Sequence, residues 1–244
     1  MRPIGVILLL AAGIWSVVCW LRSSCVRWLL SGVSAAASYI LLGALLSGII
    51  VWSGINPQGL VNNQPMWKFV VGLNEDSSGH WNEADYETYL DPSLTQAEAN
   101  EAMTQEVLER LSVGPVRLAG LTWRKSTAMW AGNEDLYWGF GHHDPEATAA
   151  PLPLSWNSTQ LLFGNLDKGV YLLAFALALY ALIRRLKEKA PSPAPLLLTL
   201  LFCGYYAVHL IVEVQVRYRY FLMPCVFLLA ACALEQLLRK QKKA

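Results

Sequence analysis

The sequence predicts a polytopic α-helical membrane protein of about five spans, with one α/β domain inserted between the second and third. Three observations carry this reading. Apolar residues form 55% of the 244 and charged ones only 15%, a balance too hydrophobic for a water-soluble domain of this size. The apolar residues also gather in runs of the length a bilayer demands. Finally, the longest polar stretch, residues 56–167, holds six of the ten tryptophans, which a disordered tether would not carry.

Five runs read as spans: residues 4–21, 29–55, 169–183, 195–212 and 221–238. The second is longer than one crossing needs. The third is short, and Leu166 with the snorkelling stems of Arg184 and Arg185 extends it. The chain therefore divides into a helical hairpin (1–55), an inserted domain (56–167) and three spans with a basic tail (168–244). A cleavable signal peptide is the rival reading of residues 1–21. It has a basic start and an apolar run, but no small-residue cleavage site before Arg22.

A net charge of +1 hides a strong asymmetry: residues 56–168 hold 15 acidic and 6 basic residues, the remainder 3 and 13. The basic residues cluster at Arg22 and Arg27, at Arg184, Arg185, Lys187 and Lys189, and at Arg239, Lys240, Lys242 and Lys243. The positive-inside rule places these clusters in the cytoplasm, with the inserted domain and the turn at 213–220 on the outer face. Met1 is then outside, and an outward Arg2 runs against the rule. The chain is accordingly expected to be the back part of a longer membrane protein. Cysteines 19, 25, 203, 225 and 232 lie in or beside spans, so no disulfide framework is implied.

Within the inserted domain, Trp67-Lys-Phe-Val-Val-Gly-Leu73 is aromatic and β-branched and predicts a short buried strand. Residues 74–79 form a polar turn. Asn82 with Asp85 caps a brief helix over 83–89. Thr95 with Glu98 is a capping-box pair, and Ala99, Met103, Val107 and Leu111 form an i, i+4 stripe that Gly114-Pro115 ends. A second amphipathic helix is predicted over 116–130, and residues 145–153 return irregularly to the third span.

Several constellations in the sequence could carry chemistry. Glu83, Asp85, Glu87 and Asp91 resemble a catalytic or metal cluster, but acids near a helix start are usually dipole-favoured and solvated. His142-His143-Asp144 offers ligands in a loop, yet adjacent histidines diverge. With no Cys/His zinc spacing either, no metal site or cofactor is assigned. Asn157-Ser-Thr159 fits an N-glycosylation acceptor, relevant only in a eukaryotic secretory host. Nothing points to nucleic acid.

The richest stretch runs from Glu213 to Pro224, between the last two spans. Charges near a bilayer need water, a partner or a ligand. Arg217 and Arg219 suit an anionic head group, and alternate residues of an extended segment face one way. Tyr218 and Tyr220 suit the interfacial belt. Glu213, Gln215 and His209, one helical turn earlier, are candidate supporting polar groups. The rival reading is that the arginines anchor the turn by pairing with Glu213 and general lipid phosphate.

These residues fall in a wider pattern: Trp67-Lys-Phe-Val-Val-Gly-Leu-Asn74, Gly79-His-Trp81-Asn82-Glu83-Ala-Asp85, Trp123-Arg-Lys125, Met129-Trp130 and Tyr137-Trp138. Glu213-x-Gln215-x-Arg217-Tyr218-x-Tyr220-x-x-x-Pro224 completes it. From about Trp67 onward the chain resembles the carboxyl-terminal half of bacterial GT-C glycosyltransferases of the protein O-mannosyltransferase-like type. The resemblance implies transfer of a sugar from a polyprenyl-phosphate carrier to an acceptor outside the membrane. Arg217, Arg219, Tyr218 and Tyr220 would then receive the donor phosphate. The family's catalytic acid lies in an amino-terminal outer loop, and the only short early loop here, 22–28, has none, so the catalytic residue is unassigned. The chain would need a missing amino half or partner subunit. The competing class is a non-enzymatic membrane anchor that presents a ligand- or partner-binding domain. Transport is weakest, because the spans hold few ionisable groups and no inverted repeat.

Overall fold

The structure is a computed structural model that describes residues 4–132, 156–188 and 192–241. Its elements are helical throughout: α1 (Ile4–Ser23), α2 (Arg27–Trp52), α3 (Trp67–Leu73), α4 (Glu83–Tyr89), α5 (Gln96–Ser112), α6 (Pro115–Ala131), α7 (Trp156–Leu186) and α8 (Ala194–Ile211). A single 3-10 turn (Val216–Tyr218) then leads into α9 (Arg219–Gln241). Five of these helices (α1, α2, α7, α8 and α9) are long and apolar enough to cross a membrane.

The spanning helices contact one another in the order α2, α1, α8, α9, α7. Small residues let the first pair close in, as helices in lipid require. A Cβ on Gly32 would lie 2.9 Å from Ser16 Oγ, and one on Gly5 2.7 Å from Tyr39. At one end of the bundle Trp15 Nε1 donates to the carbonyl of Pro193 at 2.8 Å and meets Trp28 edge-on at 5.0 Å. That brings the α1–α2 link, with Arg22 and Arg27, to the same end as the α7–α8 link, with Arg184 and Arg185. The inserted domain sits at the other end, where α8 stops and α9 begins.

α7 starts well before the predicted span at 169. Asp167 and Lys168 read as a boundary in sequence, but Arg219 binds Asp167 at 3.1 Å, so the helix runs through its charge.

The inserted domain corrects the α/β expectation: among the described residues it contains no strand. Residues 67–73 form α3, which buries Val70, Val71, Gly72 and Leu73. A strand there would have no described neighbour to take its backbone hydrogen bonds, whereas a helix satisfies them within the segment. Its β-branched residues serve equally well as helix-borne core, because strand propensity is mostly a packing preference. Val70 and Leu73 pack on Ala99, Met103 and Val107 of α5.

The helix starts match their caps. Asn82 Oδ1 accepts from the Asp85 amide at 2.8 Å. Thr95 Oγ1 accepts from the Glu98 amide at 3.3 Å, and Glu98 Oε2 accepts from the Thr95 amide at 2.9 Å. Gly114, at φ +96°, makes the corner into Pro115, the first residue of α6; this left-handed conformation is what glycine supplies. Leu111, expected on the apolar stripe, is exposed. The return at 145–153, Tyr137-Trp138, His142-His143-Asp144, Lys189, Lys242 and Lys243 lie outside the described residues.

Candidate functional site at the domain junction

The segment after α8 is where the inserted domain is fastened to the spans. Its amides reach upward: Glu213 N–H donates to Lys68 O and Val214 N–H to Gly79 O, each at 2.9 Å. Gly72 lies flat against this segment, and a Cβ there would collide with the Val212 carbonyl carbon and Ile211 O. The close approach therefore depends on the missing side chain.

Two polar side chains complete the joint. Glu213 is buried at 3% exposure. Its carboxylate pairs with Lys68 and accepts from Gln215 Nε2 at 2.7 Å and Tyr218 Oη at 3.0 Å. Burial alone would raise this carboxyl, but the Lys68 contact, with Gln215 and Tyr218, outweighs it and holds the group below its ordinary value. Lys125 of α6 is fully buried. Its ammonium donates to Gly72 O at 2.8 Å and Val212 O at 2.7 Å. Burial pushes it from 10.5 down to about 7. His209 lies beside this cluster, donating from Nδ1 to Glu213 O at 2.9 Å, its ring between Tyr205 and Tyr218 at 4.5 and 4.3 Å.

Glu213, Gln215, His209 and Tyr218 are thus brought together, but the two arginines are not. The expectation of an extended segment with both on one face is corrected. Residues 216–218 wind into a 3-10 turn and α9 starts at Arg219, so the period of two is lost. Arg217 is exposed, with its guanidinium 6.0 Å from the Tyr218 ring centre. Arg219 is wholly buried. It donates to Asp167 Oδ2 at 3.1 Å, Gly132 O at 3.2 Å and Trp130 O at 3.4 Å, and lies 4.9 Å from the Tyr171 ring centre. Glu213's cation is Lys68, not an arginine. Tyr220 is half exposed, with Arg219 5.7 Å from its ring centre.

Lys68 and Lys125 were not among the site residues expected from sequence. The signal was present for Lys125: it falls between Leu121 and Met129 at i, i+4 spacing on a buried helix face, where a charge is out of place.

Beside the joint, α6, α7 and α8 line an open cavity of about 590 Å³. Its walls are Trp130, Tyr171, Phe175, Phe202 and Tyr206, with Lys168 among the lining groups. Trp130 meets Phe175 edge-on at 5.0 Å, and Phe202 stacks on Tyr206 at 6.1 Å. Arg219 supports this wall from behind, through Tyr171 and the Trp130 carbonyl.

The acidic cluster on α4 separates. Glu83, Glu87 and Asp91 are exposed, but Asp85 is buried and corrects the solvated reading. Arg110 grips it at 2.8 and 3.1 Å. Burial would raise its carboxyl, yet the hydrogen bonds from Arg110, Asn82 and Asn74 hold it below the ordinary value. It is a core ion pair between α4 and α5. Among the described residues no group of three or more His, Cys, Asp or Glu is placed to hold a metal.

No family model, curated protein or solved structure matches this chain.

Proposed function

We propose that this chain is the carboxyl part of a glycosyltransferase that moves a sugar from a polyprenyl-phosphate donor to an acceptor on the outer side of the membrane. The observation that carries the reading is the aromatic cavity where the inserted domain meets α7 and α8. Its apolar walls suit an isoprenoid chain, and its volume falls in the range of ligand pockets. The Lys168 ammonium suits the phosphate. Arg217 adds an exposed guanidinium from the turn, while Arg219 acts through Tyr171 and Trp130 as a positioning residue.

In the transfer, a carboxylate base takes the acceptor's proton as its oxygen bonds to the anomeric carbon. The bond from that carbon to the phosphate oxygen breaks with inversion, and the cations stabilise the departing phosphate. The base is assigned to another segment or subunit, because Glu213 is committed to Lys68, Gln215 and Tyr218. In this reading the inserted domain faces outward and the ends bearing Arg22, Arg27, Arg184 and Arg185 face the cytoplasm.

A second reading is a membrane anchor presenting the inserted domain. It draws on Glu213, Asp85 and Asp167, each of which binds a cation and has no evident catalytic freedom. A photoreactive polyprenyl-phosphate probe in nanodiscs separates the two. The donor reading expects labelling of Tyr171–Phe175 or Phe202–Tyr206 peptides, competed by unlabelled polyprenyl phosphate. Lys168→Gln should weaken competition about tenfold, as loss of one charged hydrogen bond implies. Labelling confined to other peptides leaves the anchor.

A further inference from the structure

α6 is apolar on two opposite faces. One packs inward through Leu121, Lys125 and Met129. The other carries Val116, Ala119 and Trp123 and is open, with Val116 83% and Trp123 74% exposed. A tryptophan so exposed on a folded domain asks what covers it.

Position answers the question. Lys125 reaches the carbonyl of Val212, just past the end of the α8 span, at 2.7 Å. The far end of α6 is held by Arg219 at the first residue of α9, through Gly132 O at 3.2 Å. Trp123 lies two residues from Lys125, about 3 Å of helical rise. It therefore sits level with the span ends, inside the head-group layer of roughly 5–8 Å that flanks the hydrocarbon. Arg124 is exposed on the flank of the open face. It has no ion-pair partner among the described residues. A tryptophan-bearing apolar face edged by an unpaired arginine matches a helix lying in a membrane surface.

We propose that α6 is an interfacial helix: its Val116–Trp123 face seats in the surrounding bilayer, and Arg124 binds the phosphates of anionic lipids there. The partner is bulk anionic lipid rather than a sugar donor, so this stands apart from the glycosyltransferase reading. α6 is thereby braced on three sides, by the inserted domain, the span ends and the lipid.

The test uses the full chain with its native cysteines replaced, in nanodiscs, carrying an environment-sensitive fluorophore at Trp123→Cys, Val116→Cys or, as a water-facing control, Gln105→Cys. Both α6 sites are exposed, so neither change disturbs the core. In phosphatidylcholine with phosphatidylglycerol, the 116 and 123 probes should be quenched by head-group-proximal doxyl lipid at least twofold more than the 105 probe. They should also resist iodide. Phosphatidylcholine alone, or Arg124→Glu in the mixed bilayer, should raise iodide quenching at 123 by about twofold. Iodide access equal to the control would overturn the proposal. So would an apolar signal that no doxyl lipid quenches, since that means protein covers the face. Lipid contact at 123 with water at 116 would show α6 standing upright and refute the seated helix. Lipid contact unchanged by charge would refute the role of Arg124.

Discussion

Replacing Lys125 by Met tests how the inserted domain is held. The charged group that the ammonium feels is His209 of α8, which does not hydrogen-bond it; its partners are the carbonyls of Gly72 and Val212. A neutral amine still has hydrogens for both bonds. Docking therefore tolerates deprotonation, and the cost lies in burying the charge. With the joint open the lysine keeps its proton to about 10.5; docked, it releases it near 7. Between those values the open state binds more protons, so docking strengthens as pH rises, and it levels off below 7.

From pH 7 to 8.5 the gain is about 1.6 kcal/mol, or roughly 15-fold in the opening equilibrium. Hydrogen exchange of the peptide spanning residues 212–218 reads it, since the Glu213 and Val214 amides bond across the joint. Comparing wild type with Lys125→Met at each pH cancels the intrinsic exchange rate. The ratio of their protection factors should grow about 15-fold over this range. A ratio independent of pH would refute a neutralising lysine at the joint.

Arg219→Gln should destabilise the folded protein by roughly 3–5 kcal/mol, because it strands Asp167 and frees the end of α6. Arg217→Gln should change stability by less than about 0.5 kcal/mol. Thermal unfolding in detergent compares the pair, and equal losses would contradict the split described above. Gly72→Ala puts a methyl into the Val212 backbone and should open the junction to protease, whereas Gly13→Ala, with nothing within 4 Å, should not. On sidedness, a cysteine at exposed Gln105 should label from outside intact cells and one at Lys187 only after permeabilisation; the reverse result would invert the topology.

The sequence by itself determined the parts of this protein governed by local chemistry. Long apolar runs have few ways to hide from water, so the five spanning helices were legible to within a few residues at most ends. Caps act over three residues, so Asn82 and Thr95 marked the starts of α4 and α5. The charge asymmetry separated the inserted domain from the spans without reference to structure.

Only the tertiary structure decided what these pieces do to one another. Residues 67–73 have strand-like composition, but the partner available to them is the face of α5, and burial there favours a helix. Arg217 and Arg219 are alike in sequence. One turn of backbone sends the first to solvent and the second into a pocket formed by the end of α6 and Asp167. Lys125 shows in sequence only as a charge between Leu121 and Met129 on a helix face, and it is α3 and α8 that bring two carbonyls to its amine and exclude water. Those partners are 53 and 87 positions away, and no local pattern encodes them.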